Sequence, residues 1–315
     1  MIGLVNRRDT SLMLVVALVW GLNFLAIDLG RGDVPPLLFL AVRFVLVVFP
    51  AVLVVPRPDV PWRTLALVGT FMSIGQFGFL YLSMSLGLPP GLAALVLQAQ
   101  VMFTVVIAAV ALRERPTPLQ VGGVVLGGVG LVVVGVGRGG DVPLVALLLC
   151  LLGALSWGIG NVVSRAAKVP GGLGLTVWSG VVVPVPLLAL SLLLDGPSGV
   201  ADGLAAFGWE AWVSTLYTAA LASLVGYGIF NSLLARNPAA AVVPWVLLVP
   251  PIAVTASWLL LGDVPTPGEA VGGLVVVLGA LVAMKGGRPR VPESVDAGEE
   301  TASPVGEECA AGREG

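Results

Sequence analysis

RPTPLQVGGVVLGGVGLVVV, residues 115–134, returns later in the chain as VPTPGEAVGGLVVVLGALVA, residues 264–283. Two further correspondences fall in the same order. ALVWGLNFLAIDLG (17–30) is echoed by ALSWGIGNVVSRAA (154–167), with Trp20–Gly21 over Trp157–Gly158, and Pro90 lies over Pro238. The spacing stays between about 137 and 150 residues throughout. The repeated unit is strongly apolar. Of 315 residues, 57% are hydrophobic and 11% charged, with a mean hydropathy of +1.02. A soluble domain carries about 25% charged residues, so this is the composition of a polytopic membrane protein.

Apolar runs long enough to cross a bilayer as helices number ten, at roughly 11–29, 37–55, 64–86, 90–112, 118–136, 143–163, 173–194, 211–234, 238–261 and 266–284. The fold class is therefore an all-α membrane protein. Short connections rich in Pro, Gly and charge separate the runs; the longer DGPSGVADGLAAFGWE (195–210) reads as a loop. Each copy of the repeat holds five spans. An odd number inserts the second copy the opposite way up, giving two inverted five-helix repeats, a layout of secondary transporters whose substrate site lies where the halves meet. The expected divisions are 1–137, 138–285 and a disordered cytoplasmic tail, 286–315, whose composition cannot bury a core. The first run is too long for a signal-peptide core and reads as a retained helix.

Lys and Arg set the orientation. With the N-terminus in the cytoplasm, twelve fall on the inner side and two, Arg31 and Arg138, on the outer, leaving aside Arg43 within a span and Arg313 in the tail. Both termini are thus expected in the cytoplasm. The chain has no histidine, and its two cysteines, Cys150 and Cys309, are far apart. Histidine catalysis and histidine metal sites are excluded, and the cysteines give neither a disulfide framework nor a metal-ligand spacing, so no metal is expected. No cofactor is expected. The expected partners are a small molecule and the lipid bilayer, without nucleic acid; a homodimer is left open.

Polar residues inside the spans are the candidates for function. An unpaired amide in hydrocarbon costs roughly 4–8 kcal/mol, yet GLAALVLQAQVMFTVV (91–106) carries Gln98 and Gln100. Two positions on a helix differ by about 200°, which predicts one amide facing a cavity and the other bonding a neighbouring helix; the alternative is that both bond between helices. Asn23, Gln76, Asn161 and Tyr227 fall at comparable depths, with Trp20 and Trp157 beside them. The repeat sets Gln98 and Gln100 over Val246 and Leu248, in a span that carries Pro244, Pro250 and Pro251. Prolines free backbone carbonyls and are tolerated beside a cavity, so these three are candidates for a helix break or gate. Arg43 and Asp28 both lie toward the outer face and are placed to pair. An intramembrane charge is a functional candidate by default, although Arg43 also has the length to snorkel. Gly123 and Gly127, four apart, suit close helix packing. The glycines of GVGRGG (135–140) read as a turn. Carboxamides suit a zwitterion because each both donates and accepts, and Arg43 suits a carboxylate.

ALVWGLNFLAI, PPLLFLAVRFVLVVFPA, GQFGFLYLSMSLGLPPGLAALVLQAQVMFT and LRERPTPLQVGGVVLGGVGLVVV, with SLVGYGI and LLVPP in the second half, resemble the EamA family of the drug/metabolite transporter superfamily over residues 11–285. Within it the chain is most similar to bacterial O-acetylserine/cysteine exporters. The resemblance implies a secondary transporter of the inner membrane that exports small metabolites of the cysteine pathway by alternating access. LGDVPTP replaces the Gly-Glu that commonly ends the ninth helix, leaving Asp263 as a stand-in. An exporter of lipophilic drugs on the same fold predicts a pocket richer in aromatics, and only 7% of the chain is aromatic. A membrane-embedded enzyme wants clustered acids or a nucleophile beside a base, which the sequence does not offer.

Overall fold

The structure is a computed structural model describing residues 6–137, 142–168, 172–237 and 239–286. Arg138, Pro238, Cys309, the last three residues of GVGRGG and the tail from 287 onward lie outside the described residues; Gly135 to Gly137, expected in a turn, instead complete the fifth helix. Among the described residues ten helices are long and apolar enough to cross a membrane: α1 (Arg7–Arg31), α2 (Pro36–Val54), α3 (Trp62–Ser85), α4 (Pro90–Ala111), α5 (Pro118–Gly137), α6 (Leu144–Ala166), α7 (Pro184–Ala205), α8 (Trp209–Arg236), α9 (Val243–Leu261) and α10 (Pro267–Gly286). No strand occurs among the described residues. Leu, Val and Ala cover both the buried seams and the outer faces, as lipid requires.

The seventh element departs from expectation. Residues 173–180 form a separate short helix, and α7 runs on to Ala205 through what the sequence suggested was a loop. Gly196, at φ 74°, breaks it, and Pro197 starts a new helical piece. Gly203 in that piece packs on Pro35 and Leu38. That apolar contact gives the segment a reason to fold.

Packing between the halves is reciprocal. α1 lies against α8 and α9, while α6 lies against α3 and α4; α2 packs on α7, and α5 on α10. The repeated Trp–Gly pair explains the first two contacts. A Cβ at Gly21 would run into Ile252 of α9, and one at Gly158 into Phe103 of α4. Both third spans contain a stretch of wide π-helical turns, Thr70–Gly75 and Tyr217–Val225. The opposite half caps a carbonyl of each: Ser156 Oγ donates to Phe71 at 2.8 Å, and Trp20 Nε1 donates to Ala222 at 2.9 Å.

α5 and α10 run antiparallel. Thr117 Oγ1, at the start of α5, donates to the carbonyl of Gly286 at the end of α10, while Gly137 meets Gly268 at the other end. Between them Gly123 packs on Gly279 and Gly130 on Gly272. Glycines seven apart on both helices keep one seam facing the partner and let the backbones touch. The Pro-Thr-Pro corners that open these helices are paired capping boxes. Thr117 N–H donates to Gln120 and Thr266 N–H to Glu269, with the threonine hydroxyls accepting in return.

Candidate functional site

α4 enters through Pro89 and Pro90, and every side chain from Pro90 to Leu97 is buried, which makes it a central helix. It does not run straight through. Gln98 N–H donates to Leu95 and Val101 N–H to Gln98, both three residues apart. Such a tight turn advances about 120° per residue against about 100° in an α-helix. The two glutamines then lie about 120° apart instead of about 160°, and both line the same cavity. Gln98 faces the cavity, and Gln100 both faces it and bonds a neighbouring helix through Asn161 of α6, so the two expected roles overlap at Gln100. In the second half, Val243–Leu248 is a 3₁₀ helix at the same register, and a new α-helix begins at Val249. Pro250 and Pro251 fall in its first turn and Pro244 at the start of the 3₁₀ piece. There a missing N–H costs little.

The cavity measures about 560 Å³. All nine residues that the sequence offered as substrate contacts line it: Trp20, Asn23, Arg43, Gln76, Gln98, Gln100, Trp157, Asn161 and Tyr227. They come from α1, α2, α3, α4, α6 and α8, so neither half builds the site alone. Pro244, Pro250 and Pro251 do not line it; their neighbours Val243, Val246, Leu247 and Val249 do. The cavity extends toward one end of the bundle, where Gln120, Arg165 and Met284 contribute and where Arg165 pairs with Glu114 at 3.1 Å. At the other end Ser214 Oγ donates to the Ala26 carbonyl, Gly30 packs on Ser214, and Gly91 packs on Val254.

Arg43 is 2% exposed and does not snorkel. Nη1 donates to Tyr81 Oη at 3.2 Å and Nη2 to Ser223 Oγ at 3.1 Å. The Phe77 ring covers the guanidinium, 4.4 Å away, a favourable cation–π contact. Arg43 and Asp28 are not among the ion pairs of the described residues, which corrects that expectation. The π stretch of α8 supplies the reason: Ser223 comes within reach of the guanidinium. Asn161 Nδ2 donates to Gln100 Oε1 at 3.0 Å and to Thr104 Oγ1 at 3.2 Å. This cluster joins α4 of the first half to α6 of the second. Trp20 stacks tilted on Tyr227 and Phe230, with ring centroids 5.0 and 5.2 Å apart.

The sequence missed several lining residues. Phe24, Phe77 and Phe230 look like ordinary core, and Met72 carries no polar signal. Six aromatics line the cavity (Trp20, Phe24, Phe77, Trp157, Tyr227 and Phe230), so overall composition was a poor guide to the pocket. Asp263 occupies the corner position held by Glu114 in the first half, and accepts from Ser257 Oγ at 2.7 Å. Among the described residues no group of acids, cysteines or histidines is placed to hold a metal.

Known proteins match over most of the chain. A protein of Salmonella typhimurium strain LT2 described as a probable amino-acid metabolite efflux pump is 36% identical, over 90% of this chain and 97% of its own. Its Escherichia coli K12 counterpart is 35% identical with the same coverage. A probable terminal-alkyne amino-acid exporter of Streptantibioticus cattleyicolor is 29% identical over 62% of this chain and 64% of its own. A solved crystal structure superposes with a TM-score of 0.57 at 22% identity, over 89% of this chain and 98% of its own, which speaks for the fold. The EamA-like transporter family model matches twice, at residues 10–136 and 144–285. On that double match the chain belongs to the EamA-like transporter family, and it is a multi-pass membrane transporter rather than an enzyme.

Proposed function

We propose that the protein exports small amino acids of the cysteine pathway, O-acetylserine and cysteine, across a bacterial inner membrane as a secondary transporter. Residues 1–137 and 138–285 form the two repeats, inserted in opposite senses, with both termini and the tail, 286–315, in the cytoplasm. The antiparallel α5–α10 seam and the reciprocal packing of α1 and α6 support that inversion. The excess of basic residues beside the open end of the cavity supports a cytoplasm-facing state. Export then proceeds by rocking one repeat against the other, closing the Arg165–Glu114 end as the Ser214–Ala26 end opens.

The observation that carries this reading is the meeting of nine separately placed residues, seven of them with amide, phenol or guanidinium groups, in one cavity of about 560 Å³ between the halves. That volume suits a small molecule. Relatives described as amino-acid metabolite efflux pumps and as an exporter of an amino acid support the substrate class. The test is uptake of labelled cysteine and O-acetylserine into inverted membrane vesicles. Vesicles carrying the protein should accumulate both above control vesicles, and Gln100→Leu, which strips Asn161 of a partner, should cut the rate at least tenfold. Equal uptake with and without the protein sinks the amino-acid assignment.

The six cavity aromatics favour a second reading, a lipophilic substrate. Accumulation of a lipophilic dye, with no cysteine uptake, in the same vesicles selects it. Arg43 speaks against lipophilic cations, since the cavity already holds a buried positive charge.

A further inference from the structure

Two buried polar atoms at the cavity have no partner: Nε of Arg43 and Oδ1 of Asn23. They are opposite in kind. One is an N–H donor on a permanent cation, and the other is a carbonyl acceptor. Both side chains are more than nine-tenths buried. Both residues also line the same cavity. Arg43 donates to Ser223 while Trp20 donates to the carbonyl of the adjacent Ala222. Asn23 follows Trp20 by three residues, about one turn along the same face of α1.

The charge is uncompensated as well. Among the described residues the ion pairs join Arg165 to Glu114 and Arg236 to Asp9, and none involves Arg43. Burying a lone cation is unfavourable, and hydrogen bonds to two neutral hydroxyls offset only part of that cost. The opposite polar group of the cavity differs. There Asn161 Nδ2 already donates to Gln100 Oε1 and Thr104 Oγ1.

The geometry points to Arg43 and Asn23 as the main-chain pole of the site, Arg43 receiving the substrate's α-carboxylate and Asn23 Oδ1 its α-ammonium. The substrate side chain then extends toward Gln100, Asn161 and Thr104. This assignment rests on the amino-acid reading above. The site thereby reads the two groups that all free amino acids share, and leaves selection among them to the amide cluster and the aromatic wall. The assignment also links binding to motion. Arg43 is held by Tyr81 from its own half and by Ser223 from the other. A carboxylate that turns the guanidinium away from Ser223 removes a bond between the halves.

The test is thermal unfolding of the full chain in nanodiscs, titrated with L-cysteine, with cysteamine, which lacks the carboxylate, and with N-acetylcysteine, which lacks the ammonium. L-cysteine should raise the midpoint, and each analogue should need at least tenfold more for the same shift. Asn23→Asp gives Arg43 an internal counter-charge. It should raise the midpoint of the empty protein and weaken the cysteine response at least tenfold, a pairing of effects that a packing role does not produce. Arg43→Met should lose the cysteine response; should that variant fail to fold, Asn23→Asp and the two analogues decide. Equal responses to all three compounds overturn the pole and leave the exporter reading intact. No response to any of them overturns both.

Discussion

α4 and α9 hold equivalent places in the two halves and break at the same register, yet they fill the break with opposite chemistry. In α4 the tight turn displays Gln98 and Gln100. In α9 a 3₁₀ stretch is followed by prolines, and the residues facing the cavity are Val243, Val246, Leu247 and Val249. The backbone device is shared and the side chains are not. What the pair teaches is a division of labour. Under the proposed rocking of two inverted repeats, symmetry belongs to the scaffold, which then looks alike from both sides of the membrane, and specificity belongs to the amide-bearing wall, because a substrate is not symmetric.

The largest effects should therefore follow the scaffold, in matched pairs. Gly21 and Gly158 each admit a neighbouring helix where a side chain would collide with it, and in a close-packed interior such overpacking costs about 1–3 kcal/mol, sometimes more. Gly21→Val and Gly158→Val should both drastically reduce the folded fraction recovered by size-exclusion chromatography. Gly128→Val, which adds a side chain where nothing lies within 4 Å, should leave it unchanged. One of the first two folding normally would break the symmetry of the scaffold.

A smaller effect should separate the two walls. Val246 lines the cavity, whereas Leu248 is 37% exposed on the outside of the bundle. An amide at Val246 can meet water or the opposite amides; one at Leu248 meets acyl chains. Val246→Gln should fold with stability close to that of the parent. Leu248→Gln should lose about 1–3 kcal/mol, the range for a polar group without a partner, read as a lower midpoint in nanodiscs. Equal costs at the two positions would mean that α9 presents no inner wall of its own.

Much of this was legible in the sequence, for identifiable reasons. Spans follow from the length of apolar runs. The repeat survives in Trp–Gly and Pro-Thr-Pro because sterics and capping require those residues, Gly21 and Gly158 to admit a helix and Thr117 and Thr266 to cap one. Gln98, Gln100, Asn23 and Asn161 stood out because lipid makes amides expensive. Other features left no such trace. The π stretches at 70–75 and 217–225 depend on what the opposite helix offers, and no local residue announces them. The tight turn at Gln98 was not visible in regular helix geometry: a change of about 20° per residue brings both amides to one cavity while Gln100 still bonds Asn161 of the neighbouring α6. Arg43 looked ready to pair with Asp28 because both lie toward one face. Its partners, Tyr81 and Ser223, became visible only once α3 and α8 were placed around it. Phe24, Phe77 and Phe230 are indistinguishable from core residues until the cavity is known.

The least costly comparison concerns the corners that precede α5 and α10. Glu114 and Asp263 stand at the same place before the Pro-Thr-Pro turns, but Glu114 reaches out to Arg165 with both side chains about half exposed, whereas Asp263 turns back to accept from Ser257, which is buried. An exposed ion pair contributes little, about 0–1 kcal/mol. Glu114→Ala should therefore hardly move the unfolding midpoint, while high salt should blunt whatever effect it has on transport rate, because the pair sits at the mouth of the cavity and screening acts on it directly. Asp263→Ala deprives a buried hydroxyl of its acceptor and should cost about 1–3 kcal/mol, independent of salt. If salt and mutation act alike at both corners, the two ends of the bundle are not a gate and its closed counterpart but two ordinary helix caps.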